Sequence, residues 1–227
     1  CGAQIDFVDI DPRTYNLSVE RLAEKLAQAE KSGCLPKVVI PVHLSGQSCD
    51  MADIRTLGQR YGFKIIEDAS HAIGGKYRGE PIGNCRYSDI TVFSFHPVKI
   101  ITTGEGGMAL TNDESLAKHM QLLRSHGITR DAADMTHVPD GPWYYEQIDL
   151  GFNYRMTDIQ AAVGIKQLEK LDWIVSERRK IALQYNEAFK DIDCIQLPAE
   201  KEGYFSNYQS YSIYLKDNCP VSRNEIM

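Results

Sequence analysis

Apolar runs too short to be helices alternate with stretches of helical period through the first half of this sequence. Lys37–His43 (KVVIPVH) and Phe63–Asp68 (FKIIED) read as buried strands. Asp89–Phe95 (DITVFSF) and Gly107–Asn112 (GMALTN) read as two more. Ahead of the first run, Val19, Leu22, Ala23, Leu26 and Ala27 form the stripe of an amphipathic helix, with Gly33 placed to end it. Between the first two runs, Met51, Ile54, Leu57 and Tyr61 share an inward face, with Asp50 placed to cap that helix and Gly62 to stop it. A further helix is expected over Asp113–Arg124. Such alternation predicts an α/β fold: right-handed crossovers and a mostly parallel central sheet with helices on both faces. Sites in such sheets lie beyond the carboxyl ends of the strands. His43, Asp68 and Ser94 each stand at or near such an end, so the pattern expects them on one rim.

The second half is more helical. Thr157-x-x-Gln160 is a capping box. It opens a helix carrying Ile159, Val163 and Leu168, with more helix to about Ile192. Gln196–Pro198 and Tyr211–Leu215 read as strands of a smaller α+β unit, and the polar stretch Thr129–Gln147 as a surface loop. We expect a large domain over 1–170, then a connecting helix and the incomplete start of a small domain over 171–227.

Composition removes several function classes. The net charge is −6 with no basic run, which argues against non-specific nucleic-acid binding. A phosphorylated ligand stays open, because a few local donors suffice for it. The six cysteines, at 1, 34, 49, 85, 194 and 219, include no CxxC pair, so neither a metal site nor a redox motif is expected. Scattered thiols without a signal peptide read as cytoplasmic. No apolar run approaches the roughly 18–20 residues that span a bilayer. No GxxxxGK[ST] is present, which excludes a P-loop.

Three segments carry the chemistry: EDASHAIGG (67–75), FSFHPVKIITTGEGG (93–107) and GFNYRMTDIQAA (151–162). Together they resemble the DegT/DnrJ/EryC1/StrS family of sugar aminotransferases, from Gly2–Asp11 through about Leu171. The resemblance implies the fold type I architecture of pyridoxal-5′-phosphate (PLP) enzymes. Family members are longer at both ends, so a truncated chain is expected, lacking an N-terminal stretch with a helix start that helps bind the cofactor phosphate. Lys99 would hold the cofactor as a Schiff base. A lysine amine must lose its proton to attack an aldehyde, and burial near other cations favours that. Once freed, the amine is the natural base for moving a proton between substrate and cofactor carbons. Asp68 would face the pyridine nitrogen and keep it protonated. Read alone, an Asp after a strand is a turn or cap residue.

The resemblance places His71 beside the cofactor ring or its phenolic oxygen, with a loop histidine as the alternative. It places Ser94 on the phosphate, against a serine bonded to backbone. Asn153 matches an asparagine that reaches the phosphate of the neighbouring subunit, which implies a homodimer with shared active sites. Arg155 reads instead as a structural ion-pair residue. His96 lines the pocket or does not, and His43 is near the site or in the core. Glu105, in the GEGG turn, and Arg124, His126 and Gly127 (RSHG) receive no role.

The activity implied is PLP-dependent transfer of an amino group from a glutamate-like donor to C4 of a nucleotide-linked 4-keto-6-deoxy sugar. The wording is closest to enzymes on the way to pseudaminic acid. Two alternatives stand beside it. Family dehydrases replace the lysine with histidine, whereas Lys99 is present. A non-catalytic binding protein would not need the intact lysine, aspartate and serine set.

Overall fold

The computed structural model describes residues 2–226; Cys1 and Met227 lie outside the described residues. Along the chain come α1 (Val19–Ser32), β1 (Val38–Val39), α2 (Met51–Tyr61), β2 (Lys64–Asp68), β3 (Lys76–Tyr77), β4 (Glu80–Pro81), β5 (Ile90–Ser94) and β6 (Gly107–Leu110). They are followed by α3 (Glu114–Arg124), β7 (Ile128–Thr129), β8 (Glu146–Gln147), α4 (Asp158–Leu168), α5 (Leu171–Phe189), β9 (Ile195–Gln196), β10 (Tyr204–Phe205), β11 (Tyr214–Leu215) and α6 (Arg223–Ile226).

The helix ends follow their local chemistry. The Ser18 side chain accepts from the Arg21 amide at the start of α1, and Gly33 closes it at φ 68° with its N–H on the last carbonyls. Thr157 and Gln160 satisfy each other's backbone donors at the start of α4. Asp50 is the exception. It makes no side-chain cap to α2. Its carboxylate is bound instead by Lys201 Nζ at 2.8 Å and by the Tyr204 hydroxyl. A charge-assisted bond outcompetes a neutral amide for the same oxygens.

The central sheet runs β1-β2-β5-β6. β1–β2 and β2–β5 are parallel, and β5–β6 is antiparallel. The KVVIPVH run forms less strand than its composition suggests. Only Val38–Val39 pair continuously, and Val42 rejoins β2 at Asp68. Pro41, which has no N–H to donate, stands in the gap. Burial along this run alternates: Val39, Pro41 and His43 are inside, whereas Val38, Ile40 and Val42 are exposed. Among the described residues the outer face of the sheet is left open at this edge.

One core lies on the inner face of β1 and β2, where Leu22 and Leu26 of α1 and Met51, Ile54 and Tyr61 of α2 meet Val39 and Ile65. A second lies at the ends of β2 and β5, built on Ala69, Ala72, Phe93, Phe95, Ile100 and Ile101, and closed by Val175 of α5. The second half returns to the first: β10 pairs antiparallel with β3, and β9 with β11. The stretch 129–147 is largely exposed, as expected; the β7–β8 pair closes it and it folds around the Glu146 carboxylate.

Candidate active site

Strand alternation decides which side chains share the site. Asp68 pairs with Val92, so Ser94, two residues on along β5, faces the same side as Asp68. Both are half-buried on the thinly covered face, whereas Glu67, Thr91 and Phe93 are buried on the other. Asp68 Oδ1 accepts from the Ser70 amide at 3.0 Å and has no cationic partner among the described residues. Ser94 Oγ accepts from the His96 amide at 3.4 Å.

Lys99 follows β5 on a short anchored loop. Its amide donates to the His96 carbonyl at 2.9 Å, and the loop closes where Thr103 N–H meets the Phe95 carbonyl at 3.0 Å. Ile100 and Ile101, 5 % and 1 % exposed, pin the loop into the second core. Lys99 itself is half-buried, and its ammonium has no hydrogen-bond or ion-pair partner among the described residues. A lysine held by its backbone with its head uncommitted is available to react.

His71 links the two charges. Burial and the Lys99 charge push its pKa below the ordinary histidine value, and Asp68 offsets this only in part. Its ring therefore lies within the fields of both Lys99 and Asp68. The Ser45 amide donates to His71 Nδ1 at 3.3 Å, which assigns the remaining ring proton to Nε2. The ring is thus a neutral Nε2–H donor.

Amine, carboxylate, neutral imidazole donor and hydroxyl converge on one rim. That donor set fits PLP: an amine for its aldehyde, an uncompensated carboxylate for a cationic ring nitrogen, and donors for its oxygens.

Other expected residues fall elsewhere. His43 is fully buried and points to Glu67 on the packed face, so it is a core histidine and not a rim residue. His96 is exposed, with Nε2 3.9 Å from Glu105 Oε1. Glu105 contributes its carbonyl, which accepts from Thr103 Oγ1 and Gln160 Nε2 and so ties the GEGG turn to α4. Asn153 is exposed, bridges to Ser125, and has no side-chain partner among the described residues. Arg155 is exposed and forms no ion pair among the described residues, against its reading as a structural ion-pair residue. RSHG is a tight turn: His126 has φ 65°, and a Cβ on Gly127 would fall 1.9 Å from the Asp149 carbonyl oxygen.

Three contributors were missed. Ser45 orients His71. Asn207, fully buried, donates to the His71 and Ile73 carbonyls at 2.8 Å. Gln209 donates to the Val98 carbonyl at 2.7 Å, next to Lys99. A Cβ on Gly46 would lie 1.8 Å from Asn207 Oδ1, so Gly46 of HLSGQ is the space into which Asn207 fits. All three act across long sequence separations, where spacing carries no signal.

The profile of the DegT/DnrJ/EryC1/StrS aminotransferase family matches residues 1–227. GDP-perosamine synthase of Caulobacter vibrioides is 41 % identical over 187 residues, 82 % of this chain and 45 % of that protein. The UDP-4-amino-4,6-dideoxy-N-acetyl-beta-L-altrosamine transaminase of Campylobacter jejuni is 35 % identical over 223 residues, 98 % of this chain and 51 % of that protein. The solved structure of Helicobacter pylori PseC, an aminotransferase involved in the biosynthesis of pseudoaminic acid, superposes with TM-score 0.83 at 28 % identity. It covers 95 % of this chain and 53 % of that one. The chain thus spans about half the length of the curated relatives it matches.

Proposed function

The chain belongs to the DegT/DnrJ/EryC1/StrS aminotransferase family, whose enzymes are PLP-dependent and of fold type I, and from that premise we propose its reaction. The protein moves an amino group from a glutamate-like donor to C4 of a nucleotide-linked 4-keto-6-deoxy sugar. The observation that carries this reading is the rim on which His71 feels both the Lys99 amine and the Asp68 carboxylate. Similarity to a GDP-sugar enzyme and to a UDP-sugar transaminase supports the substrate class. The likeness to PseC supports a place in the synthesis of pseudaminic-acid-type sugars.

Bound here, PLP supplies an aldehyde for the amino group and a ring that withdraws electrons from the carbon losing its proton. Lys99 would hold the cofactor through its amine and, when free, would carry a proton as base. Asp68 would keep the ring nitrogen protonated. His71 would donate from Nε2–H to the ring oxygen, and Ser94 would donate to the phosphate. Asn153 completes the phosphate site of a second copy, so the working unit is a homodimer. Residues 1–170 form the cofactor-binding unit, and 171–227 the connecting helix and the start of a smaller one. The free thiols Cys34, Cys49, Cys85, Cys194 and Cys219 support a reducing, cytoplasmic setting. Among the described residues no helix is long and apolar enough to cross a membrane.

The test uses the full-length protein with PLP. Borohydride reduction should leave the adduct on the peptide containing FSFHPVK, and Lys99→Ala should remove it. A label on another lysine overturns the assignment. Incubation with a UDP-4-keto sugar and glutamate should then release 2-oxoglutarate.

A further inference from the structure

Glu67 and Asp68 are neighbours on β2 and project to opposite faces of the sheet. Asp68 belongs to the candidate site, and Glu67 to a buried network beneath it. His43 Nε2 lies 2.7 Å from Glu67 Oε2, with the two side chains 0 % and 6 % exposed. Glu67 Oε1 accepts from the Ser88 hydroxyl and from Thr91 Oγ1 at 3.2 Å. His43 Nδ1 accepts from the Cys49 amide at 3.1 Å, so the ring proton sits on Nε2 and is donated to Glu67. Both ring nitrogens and both carboxylate oxygens are in use.

Such a network is a poor way to gain stability alone, because apolar residues of equal volume commonly do as well. Its connections suggest another task. The Asp68 amide donates to the Pro41 carbonyl at 2.9 Å, and the Asp68 carbonyl accepts from the His43 amide at 3.0 Å. His43 also opens the turn in which the Ser45 amide holds His71 Nδ1. One buried residue therefore reaches two site residues through backbone bonds. The titratable groups around it are Glu67 and Cys49; those around His71 are Lys99 and Asp68. Burial pushes the His43 pKa down, and Cys49 and Glu67 more than reverse it. A second ring proton would have to displace the Cys49 amide from Nδ1, so that bond works against the charged ring that the Glu67 carboxylate favours. Burial works against the Glu67 charge too, but His43, Ser88 and Thr91 hold its pKa below the ordinary value.

We propose that the His43–Glu67 pair is a positioning unit for the cofactor site, fixing both the strand end that carries Asp68 and the turn that holds His71 as its Nε2–H tautomer. The inference rests on the reading that Asp68 and His71 face the cofactor.

Two variants separate the arms. In His43→Asn the carboxamide oxygen takes the place of Nδ1 and keeps the Cys49 amide, but loses Glu67. In His43→Gln the amide nitrogen reaches Glu67 and the Cys49 bond is lost. The first readout is ¹⁵N NMR of the histidine rings in the full-length, cofactor-free protein. His71 should be Nε2–H in wild type and in His43→Asn, and a mixture of tautomers in His43→Gln. The second is the pH midpoint of the visible band of bound PLP, which should move by about 0.5–1 unit in His43→Asn and in Glu67→Gln. In Glu67→Gln, kcat should fall about tenfold with KM within about twofold. Variants that lose thermal stability but keep the wild-type His71 tautomer and band midpoint overturn the proposal. A wild type that takes no PLP on Lys99 defeats the functional reading instead, and the NMR of the cofactor-free protein still decides this one. If His43→Gln does not fold, Ser88→Ala should move the band midpoint in the direction of Glu67→Gln by a smaller amount, and a wild-type midpoint in both overturns the proposal.

Discussion

Asp68 shows how a side chain acquires a role from its position. It ends a parallel strand and faces the less covered side, and its carboxylate accepts only from the Ser70 amide among the described residues. A carboxylate left uncompensated beside Lys99 and His71 is matched to a cationic ring nitrogen. Asp68→Asn conserves volume and can still accept from Ser70, so thermal unfolding should stay close to wild type. PLP should still be trapped on Lys99, while turnover drops by about 10²–10³-fold through loss of the charge. Near-normal turnover in that variant would remove Asp68 from the mechanism. Lys99, Asp68, His71 and Ser94 stood out in the sequence because strand ends in α/β sheets mark sites and because their spacing matches a family pattern; the register places Asp68 and Ser94 on one face of the sheet. Glu67 stood out less. Its cue was an acidic residue at an inward position of FKIIED, but its partner His43 lies in another strand segment and only the register of β1 on β2 brings them together.

Elements were legible where the signal is local. Gly33 closes α1 as read, and the Thr157–Gln160 box opens α4. Asp50 failed as a cap because Lys201 and Tyr204, distant in sequence, hold its carboxylate. The stretch 129–147 is largely exposed as read, but what orders it is a contact that the sequence does not mark. Glu146 accepts the amides of Thr136 at 2.7 Å and His137 at 2.9 Å, with the hydroxyls of Thr136 and Tyr144. The Thr136 amide leads in depressing its pKa to about 2, and the other donors help it to outweigh the opposing effect of burial. A carboxylate with a lowered folded pKa contributes stability that is fully present above its unfolded value of about 4.5 and is lost as pH falls toward 2. Acidification through that window should release this segment. At neutral pH, Glu146→Gln should do the same, with faster hydrogen exchange at the Thr136 and His137 amides and earlier proteolytic cutting within 129–147. Unchanged exchange at both amides would show that the segment is held by something other than Glu146.

At the scale of the molecule, the apolar pattern exceeds what this chain buries. Ile159 of α4 is 81 % exposed, and near it along the chain Leu150 is 84 % exposed. Phe152 and Tyr154 stack on each other at 4.8 Å, yet both are exposed. Asn153 stands between them with no side-chain partner among the described residues. The sequence signalled the helix α4 but could not say that Ile159, Val163 and Leu168 would find no cover among the described residues. Apolar surface of this kind marks an interaction face, and a homodimer would place Asn153 against a second copy. In a twofold dimer each shared site takes Lys99 from one subunit and Asn153 from the other. Lys99→Ala leaves a homodimer with no reactive amine. Asn153→Asp sets a carboxylate against the cofactor phosphate at both sites and should be nearly inactive as a homodimer. In the mixed dimer both lesions fall in one site and the other is fully wild type. About half of wild-type activity should therefore return in that species, one intact site of two. The measurement needs differently tagged subunits, verified exchange, and 2-oxoglutarate release from the purified heterodimer. A verified heterodimer without recovered activity would mean that Asn153 serves its own subunit or none, and that the exposed face around it meets something other than a second active site.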